Sequence, residues 1–340
     1  MKQCAKAGVL AAVAALALVL GVALGSVWIA PGDMLSIFAN RLLGTALPDG
    51  FNEVYPGLVM DIRLPRELLA FLVGAALSVS GTVMQSVLKN PLASSYGLGV
   101  SSGAGLGAAL VMVGGLSAGA LGAFLLPAAG LVFGLGAVAA AILFASRMDR
   151  DLSNNTIILT GMVLSLFLNA IMSTIAAVSP GYTQRIMLWQ LGSFSMKEWR
   201  CVWILLPVVV LCTLFFMRWS RELDVMTFGE EQAAALGLDT KKAKWLLIGM
   251  VAVLTGVAVA FVGVIGFVDL IAPHVVRRFF GSRHRLVLPM SALFGGTFMV
   301  LCDLAARTLA SPSEIPVGSI TALLGAPFFI YIYFASRKRG

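Results

Sequence analysis

The chain has 340 residues, of which 59% are hydrophobic and only 12% are charged, and its net charge is +8. Ordinary soluble domains carry about 25% charged residues, so this composition excludes a soluble globular protein and predicts a membrane protein. The basic residues lie mostly in short segments between apolar runs. That distribution indicates membrane topology rather than nucleic-acid binding.

Ten apolar runs predict ten transmembrane helices, so we expect an all-α polytopic protein in which residues 1–340 form a single transmembrane domain. The runs lie near residues 8–30, 66–87, 96–115, 119–145, 156–178, 200–218, 244–264, 266–281, 286–306 and 316–335. The stretch 244–281 is one apolar run, which we split at Gly266 because the charge pattern requires two crossings there. The first run is longer than a signal-peptide core, so we expect it to be retained.

The basic residues predict that both termini face the cytoplasm, because an even number of crossings then places most of them inside. The seventeen inside are Lys2, Lys6, Lys89, Arg147, Arg150, Arg218, Arg221, Lys241, Lys242, Lys244, Arg277, Arg278, Arg283, Arg285, Arg337, Lys338 and Arg339. The other seven are Arg41, Arg63, Arg66, Arg185, Lys197, Arg200 and Arg307.

Three connecting segments are longer than a turn requires: residues 31–62 and 179–199 outside the membrane and residues 219–243 inside. The third contains FGEEQAAALGL, in which helix-forming residues lie between glycines. This pattern predicts two short helices that meet at a bend near Gly229, with a further glycine at Gly237. A helical hairpin on the cytoplasmic side is a natural docking surface for a partner.

Small residues in the second run predict close helix packing, because van der Waals contact between backbones drives helix association in lipid. They are Gly74, Ala75, Ala76, Ser78, Ser80 and Gly81, and we interpret Gly97, Gly99, Gly103, Gly105 and Gly107 in the same way. The run GLGVSSGAG resembles a phosphate-binding loop, but the chain has no GxxxxGK[ST] motif. We therefore expect no bound nucleotide, and the four scattered cysteines predict neither a metal site nor a disulfide framework.

Two acidic residues, Asp269 and Asp303, are predicted well inside helices, where carboxylates are unfavourable and are often functional. Asp303 lies one helical turn before Arg307, so an internal ion pair is the simplest interpretation. His274 follows Pro273, and a structural histidine near a helix break is more typical there than a proton relay. Together, Asp269, Asp303 and His274 leave open an ion- or proton-coupled secondary transporter.

Five ordered blocks resemble the FecCD family of ABC-importer permeases, which includes vitamin B12, haem and ferric-siderophore permeases. They are RLPRELLAFLVGAALSVSGTVMQSVLKNPLASSYGLGVSSGAG, GEEQAAALGL, FVDLIAPHVVRRFFGSRHRLVLPMSALFGG, CDLAARTL and SEIPVGSITALLGAPFFIYIY. The resemblance extends from Arg63 to Tyr333. It departs from the family at Asp269, where a glycine is usual, and this leaves open whether Asp269 alters the pathway.

The resemblance implies a BtuC-like type II ABC importer permease fold with a weak inverted repeat, helices two to five against seven to ten. It implies a membrane subunit with no catalytic or metal-binding residue and no cofactor, since ATP and Mg would bind to two separate ATPase subunits. The other implied partners are a second permease subunit, giving a homodimer, and a periplasmic or lipoprotein substrate-binding protein. The expected location is the bacterial cytoplasmic membrane, and the expected cargo is a ferric siderophore, with haem or cobalamin as alternatives.

The resemblance also assigns roles to three groups of residues. Docking of the binding protein is expected at Arg63, Arg66 and Arg307. Coupling to the ATPase is expected at Gly229, Glu230, Glu231, Ala234, Ala235, Leu236 and Gly237. The pathway or inner gate is expected at Ser153, Asn154, Asn155, Thr160, Ser165 and Asn169, although a merely polar turn at residues 153–155 is an equally good interpretation.

Overall fold

The computed structural model describes residues 2–25, 27–48, 50–116 and 119–337, and this part of the chain is helical without strands. Lys338 and Arg339, which belong to the predicted charge pattern, lie outside the described residues. The helices in chain order are α1 Lys2–Ala23, α2 Pro31–Leu43, α3 Val54–Gly57, α4 Leu64–Val87, α5 Val100–Val113, α6 Gly119–Met148, α7 Asn154–Val178, α8 Pro180–Gln190, α9 Trp199–Arg218, α10 Ser220–Met226, α11 Glu230–Ala235, α12 Thr240–Val262, α13 Val268–Phe280, α14 His284–Thr308 and α15 Val317–Arg337.

Each of the ten predicted runs contains a helix, and seven described segments are long and apolar enough to cross a bilayer. These are Gln3–Ala23, Val54–Val87, Phe124–Met148, Asn154–Val178, Trp199–Arg218, Thr240–Val262 and His284–Thr308. Val100–Val113 and Val317–Ile330 are apolar but shorter. The chain is therefore a multi-pass membrane protein, whereas ten complete crossings remain a prediction.

Several predicted boundaries differ from the observed ones by a few residues. The first helix begins at Lys2 and ends at Ala23, so it lies several residues before the predicted range 8–30. The run 244–281 does divide into two helices, but α12 ends at Val262 and α13 begins only at Val268. A non-helical break within a membrane-spanning region is tolerated only where protein surrounds it, so we expect the segment between α12 and α13 to be enclosed by other helices.

The centre of the molecule is α4, which is almost entirely buried and packs against α9, α12, α13 and α14. Its small residues allow these approaches, as the sequence predicts. A side chain at Gly74 would collide with the backbone of Gly295 in α14, and one at Gly81 would collide with the backbone of Asp269 in α13. The predicted role of the small residues as packing positions is thus confirmed at these two crossings.

In contrast, α7 lies at the outside of the single chain. The residues it buries are Ile157, Thr160, Gly161 and Met172. Large apolar side chains such as Leu166 and Phe167 are more than half exposed. This helix therefore offers a broad surface to lipid or to another protein.

Candidate functional site

Arg63, Arg66 and Arg307, the predicted docking residues, lie together around a cavity of about 150 Å³ that Glu314 also lines. The prediction therefore selected residues that share one place in the fold. All three are nevertheless buried, with exposed fractions of 4%, 8% and 8%. Their role in docking stays a prediction, and the structure adds that each arginine already has partners within the chain.

Arg66 binds two carboxylates at once. Its Nε and Nη2 donate to Oδ2 and Oδ1 of Asp303, each at a distance of 2.8 Å, in a bidentate pair. Its Nη1 and Nη2 donate to the two carboxylate oxygens of Glu314 at distances of 2.8 and 3.2 Å. The Asp303 side chain is completely buried, whereas that of Glu314 is 40% exposed. Burial of such a charge requires this degree of pairing.

Arg307 belongs to the same network of ion pairs, whereas Arg63 binds main-chain oxygens. Arg307 donates to Glu67 and to the carbonyl oxygen of Gly21. Its Nε lies 3.7 Å from Asp303, so the predicted contact across one helical turn exists, but Arg66 is the closer partner of Asp303. Arg63 donates instead to main-chain carbonyls at the end of α1 and after it, those of Val22, Ala23 and Val27.

The segment 219–243 forms the predicted helical hairpin, since α10 and α11 meet at Gly229, whose φ of +129° is accessible mainly to glycine. The outer surface of the hairpin is partly apolar. Phe228 and Leu236 are 71% and 72% exposed, and the neighbouring predicted residues Glu231, Ala234, Ala235 and Gly237 are also exposed. A surface of this kind outside the lipid fits a partner protein.

Polar contacts fasten α10 to the membrane helices. Asp224 accepts hydrogen bonds from the main-chain amide of His284 at 2.9 Å and contacts its Nδ1 at 2.6 Å. The other ring nitrogen lies 2.6 Å from the hydroxyl of Ser86 in α4, and Arg277 of α13 donates to that hydroxyl at 3.1 Å. These contacts connect Asp224 of α10 directly to α14 and, through His284 and Ser86, to α4 and α13. Sequence reasoning missed this series of contacts, because its members are far apart along the chain.

The loop before α7 is an ordered polar turn. Asp149 accepts hydrogen bonds from the amides of Asp151 and Ser153, each at 2.9 Å, and from the hydroxyl of Thr156 at 3.1 Å. Ser153, through its hydroxyl and its amide, together with the amide of Asp151, holds the pKa of the Asp149 carboxyl well below its usual range. Asn154 is the first residue of α7, and Asn155 is exposed.

The other predicted pathway residues lie along α7 with different surroundings. Thr160 is turned to its own helix, where its hydroxyl donates to the carbonyl of Thr156 at 2.8 Å. Within the described chain, the hydroxyl of Ser165 and Oδ1 of Asn154 are buried without a hydrogen-bond partner. Asn169 lines an open cavity of about 530 Å³ between α7 and α8, together with Ser173, Thr183 and Gln190.

Comparison with known proteins identifies the family. The model of the FecCD transport family matches residues 13–335, which is nearly the whole chain. The chain belongs to the FecCD transport family. As a member, it is a permease subunit of an ABC importer, and the resemblance predicted from the five sequence blocks is confirmed.

Several relatives share most of their length with this FecCD chain. The ABC transporter permease protein YvrB of Bacillus subtilis is 41% identical over 96% of this chain and 92% of its own. The cobalamin import system permease protein BtuC of Halobacterium salinarum is 39% identical over 83% and 75%, and the hemin transport system permease protein HmuU of Yersinia pestis is 34% identical over 90% and 90%. A solved metal-chelate type ABC transporter in an inward-facing conformation superposes with a TM-score of 0.83 at 30% identity over 96% of this chain and 97% of that one.

Asp269, which the sequence resemblance predicted to be unusual, has a clear structural role. Its side chain is buried and accepts hydrogen bonds from the hydroxyl of Ser94 and, at 3.2 Å, from the amide of Ser95. It thereby joins the first turn of α13 to the short turn that leads into α5. Sequence reasoning selected Asp269 but missed Ser94 and Ser95. Serines are common in turns, so nothing in the sequence indicates that these two bind Asp269.

Proposed function

We propose that this FecCD permease moves a large metal chelate through a pathway between two copies of the chain. The observation that best supports this proposal is the open cavity between α7 and α8. Asn169 and Ser173 place polar groups on α7, which the single chain leaves mostly exposed, and Thr183 and Gln190 of α8 add two more. Polar groups in a membrane face protein or water rather than lipid. A second copy of the chain would enclose them.

The proposed cargo is a ferric siderophore, with haem and cobalamin as alternatives. The cavity is lined by polar and apolar residues and by no charged one, and such an uncharged surface suits a large chelate that must pass without being trapped. The names of the cobalamin and hemin permeases among the relatives support both alternatives. The three cargoes share a metal held in a large organic ligand.

Uptake into proteoliposomes tests the cargo. The complete complex, with its ATPase and binding protein, is supplied with one labelled chelate at a time: a ferric siderophore, haem or cobalamin. We expect ATP-dependent uptake of the siderophore and little of the other two. Uptake of haem or cobalamin alone would replace the proposed cargo by that alternative, and uptake of none would contradict the proposal.

Docking of a binding protein is proposed at the surface above Arg63, Arg66 and Arg307, on the outer side of the membrane. Glu314 is the most exposed charged member of this cluster, with a side chain 40% exposed. A charge at the rim of an interface governs encounter and orientation. Glu314→Lys should therefore change capture of the binding protein, whereas Asp151→Lys, at an equally polar site on the other proposed face, should not.

Two ATPase subunits are proposed to dock on the hairpin at Phe228 and Leu236, on the cytoplasmic side of a bacterial inner membrane. Leu236→Glu should abolish co-purification of the ATPase, because it places a charge in the middle of an apolar contact. Leu42→Glu is the matched control, since Leu42 is 79% exposed on α2. Normal co-purification with Leu236→Glu would place the ATPase elsewhere.

A secondary transporter is the weaker alternative. It would use Asp269, Asp303 and His274 as coupling sites, but Asp303 is held by Arg66 and Asp269 by two serines. Uptake driven by an ion gradient without ATP would favour this alternative.

A further inference from the structure

A completely buried lysine lies between the hairpin and the loop before α7. Lys244, near the start of α12, has an exposed fraction of 0%. Its Nζ forms an ion pair with Oε1 of Glu230 at 2.7 Å and donates to the carbonyl oxygen of Leu152 at 2.6 Å. Glu230 belongs to α11 in the hairpin, and Leu152 belongs to the polar turn that begins α7.

A charge in this position is unfavourable for simple packing. Burial of an ammonium group costs several kcal/mol before its partners compensate, and an apolar side chain of similar length often packs as well. The buried ammonium group of Lys244 is compensated by two acceptors that come from two different segments, Glu230 and the carbonyl of Leu152. A single side chain therefore fixes the distance between α11 and the turn.

Several hydrogen bonds tie the turn to the start of α7. Leu152 has a φ of +55°, a conformation that is uncommon for a residue with a side chain, and its carbonyl points at Lys244. Its amide donates to the carbonyl of Asp149 at 3.1 Å, and the Asp149 carboxylate accepts from Ser153 and Thr156. A movement of Leu152 thus carries the first turn of α7 with it.

From these contacts we propose that Lys244 is the positioning residue that transmits movement of the hairpin to α7. The contact sequence is Glu230, Lys244, Leu152 and then the Asp149 turn. This inference rests on the proposed function, in which the hairpin contacts the ATPase and α7 borders the pathway. Lys244 itself contacts neither partner nor cargo.

A second ion pair, between α12 and the same turn before α7, supplies a matched control. Lys241 and Asp151 approach to 3.6 Å, but their side chains are 48% and 93% exposed. An exposed pair of this kind is screened by solvent and contributes little. Comparison of Lys244→Met with Asp151→Asn therefore separates the buried link from general loss of charge between the segments.

The test measures transport per ATP hydrolysed, in reconstituted complexes normalised to the ATPase that co-purifies. We expect this ratio to fall about ten-fold in Lys244→Met, while ATPase capture and basal hydrolysis persist. Asp151→Asn should retain the wild-type ratio. A wild-type ratio in Lys244→Met, an equal fall in Asp151→Asn, or loss of ATPase capture in Lys244→Met would each overturn the proposal.

A second readout follows the loop itself. In a chain with Cys4→Ser and Asn155→Cys, the rate of thiol labelling at position 155 should change on addition of ATP, and Lys244→Met should abolish that change. An unaltered response would overturn the link. If Lys244→Met is not recovered in folded form, Lys244→Gln, which also removes the ion pair with Glu230, replaces it in both assays, with the same expected and contradicting results. Failure of the wild-type chain to capture any ATPase would instead contradict the proposed function.

Discussion

Arg66 has two carboxylate partners in very different surroundings. Asp303 is completely buried and bound through both oxygens, whereas the side chain of Glu314 is 40% exposed. Loss of one partner from a buried pair leaves an uncompensated charge, but loss of a partly exposed partner leaves the arginine with water. The two contacts should therefore differ in their effect on folding.

We predict that Asp303→Ala lowers the free energy of unfolding by about 3–5 kcal/mol, because Arg66 then keeps a buried charge without its main partner. Glu314→Ala should cost about 1 kcal/mol or less. Thermal unfolding of both variants in the same detergent and buffer measures the difference. Equal losses would show that burial does not distinguish the two pairs.

The carboxylate of Asp149 gives a prediction about pH. Its hydrogen bonds depress the pKa in the folded state, so it stabilises the fold at neutral pH, above the unfolded pKa of about 3.9. This contribution disappears as pH falls through the depressed folded pKa. The difference in thermal stability between the wild type and Asp149→Asn should thus be largest near pH 7 and shrink in acid. A constant difference would contradict the assignment.

At the residue level, sequence spacing predicted one contact of the arginine cluster and missed the dominant one. Asp303 and Arg307 are one turn apart, and they do approach to 3.7 Å. Arg66 binds Asp303 more closely from a different helix. Spacing within a helix is visible in a sequence, whereas a partner on another helix depends on how the helices pack.

The break between α12 and α13 shows how far the sequence defines an element. Apolar length and the charge pattern predicted two helices within 244–281, and the structure confirms the division. The predicted break at Gly266 lies inside the observed one. The decisive glycine is Gly263, which has a φ of +79° and lies against the carbonyl of Trp189. That neighbour comes from α8, so the sequence alone could not select Gly263.

These two glycines form a matched pair for mutation. Gly263→Ala should destabilise the protein by about 1–3 kcal/mol, because its backbone conformation disfavours a side chain and a Cβ atom would collide with Trp189. Gly266→Ala should be tolerated, since nothing lies within 4 Å of the added atom. Folded yield and thermal unfolding in detergent measure both. A larger effect at Gly266 would contradict the observed position of the break.

The hairpin was more predictable than the break, because its signals are local. Helix-forming residues between Gly229 and Gly237 predicted two short helices and a bend, and α10 and α11 confirm them. The contacts that hold the hairpin in place were not predictable. Asp224 contacts His284, and Glu230 contacts Lys244. Both contacts depend on how the helices pack in space, which the sequence does not show.

At the level of the whole molecule, the surface of α7 is the feature that a single chain does not explain. This helix is mostly exposed, yet it carries the polar side chains of Asn169 and Ser173 in an open cavity of mixed lining. Lipid cannot satisfy such groups, whereas a second copy of the chain can. The surface of α9 is similarly exposed but apolar, as expected for contact with lipid.

We therefore predict that two copies of the chain meet along α7. In a chain with Cys4→Ser, Leu166→Cys should form a covalent dimer with a short thiol cross-linker, because Leu166 is 69% exposed and lies one turn before Asn169. Leu211→Cys on α9 is the control, since Leu211 is 65% exposed on the surface assigned to lipid. Gel electrophoresis of the complete complex in membranes measures both products. Cross-linking at Leu211 as efficient as at Leu166, or none at Leu166, would show that the polar cavity on α7 is enclosed in some other way.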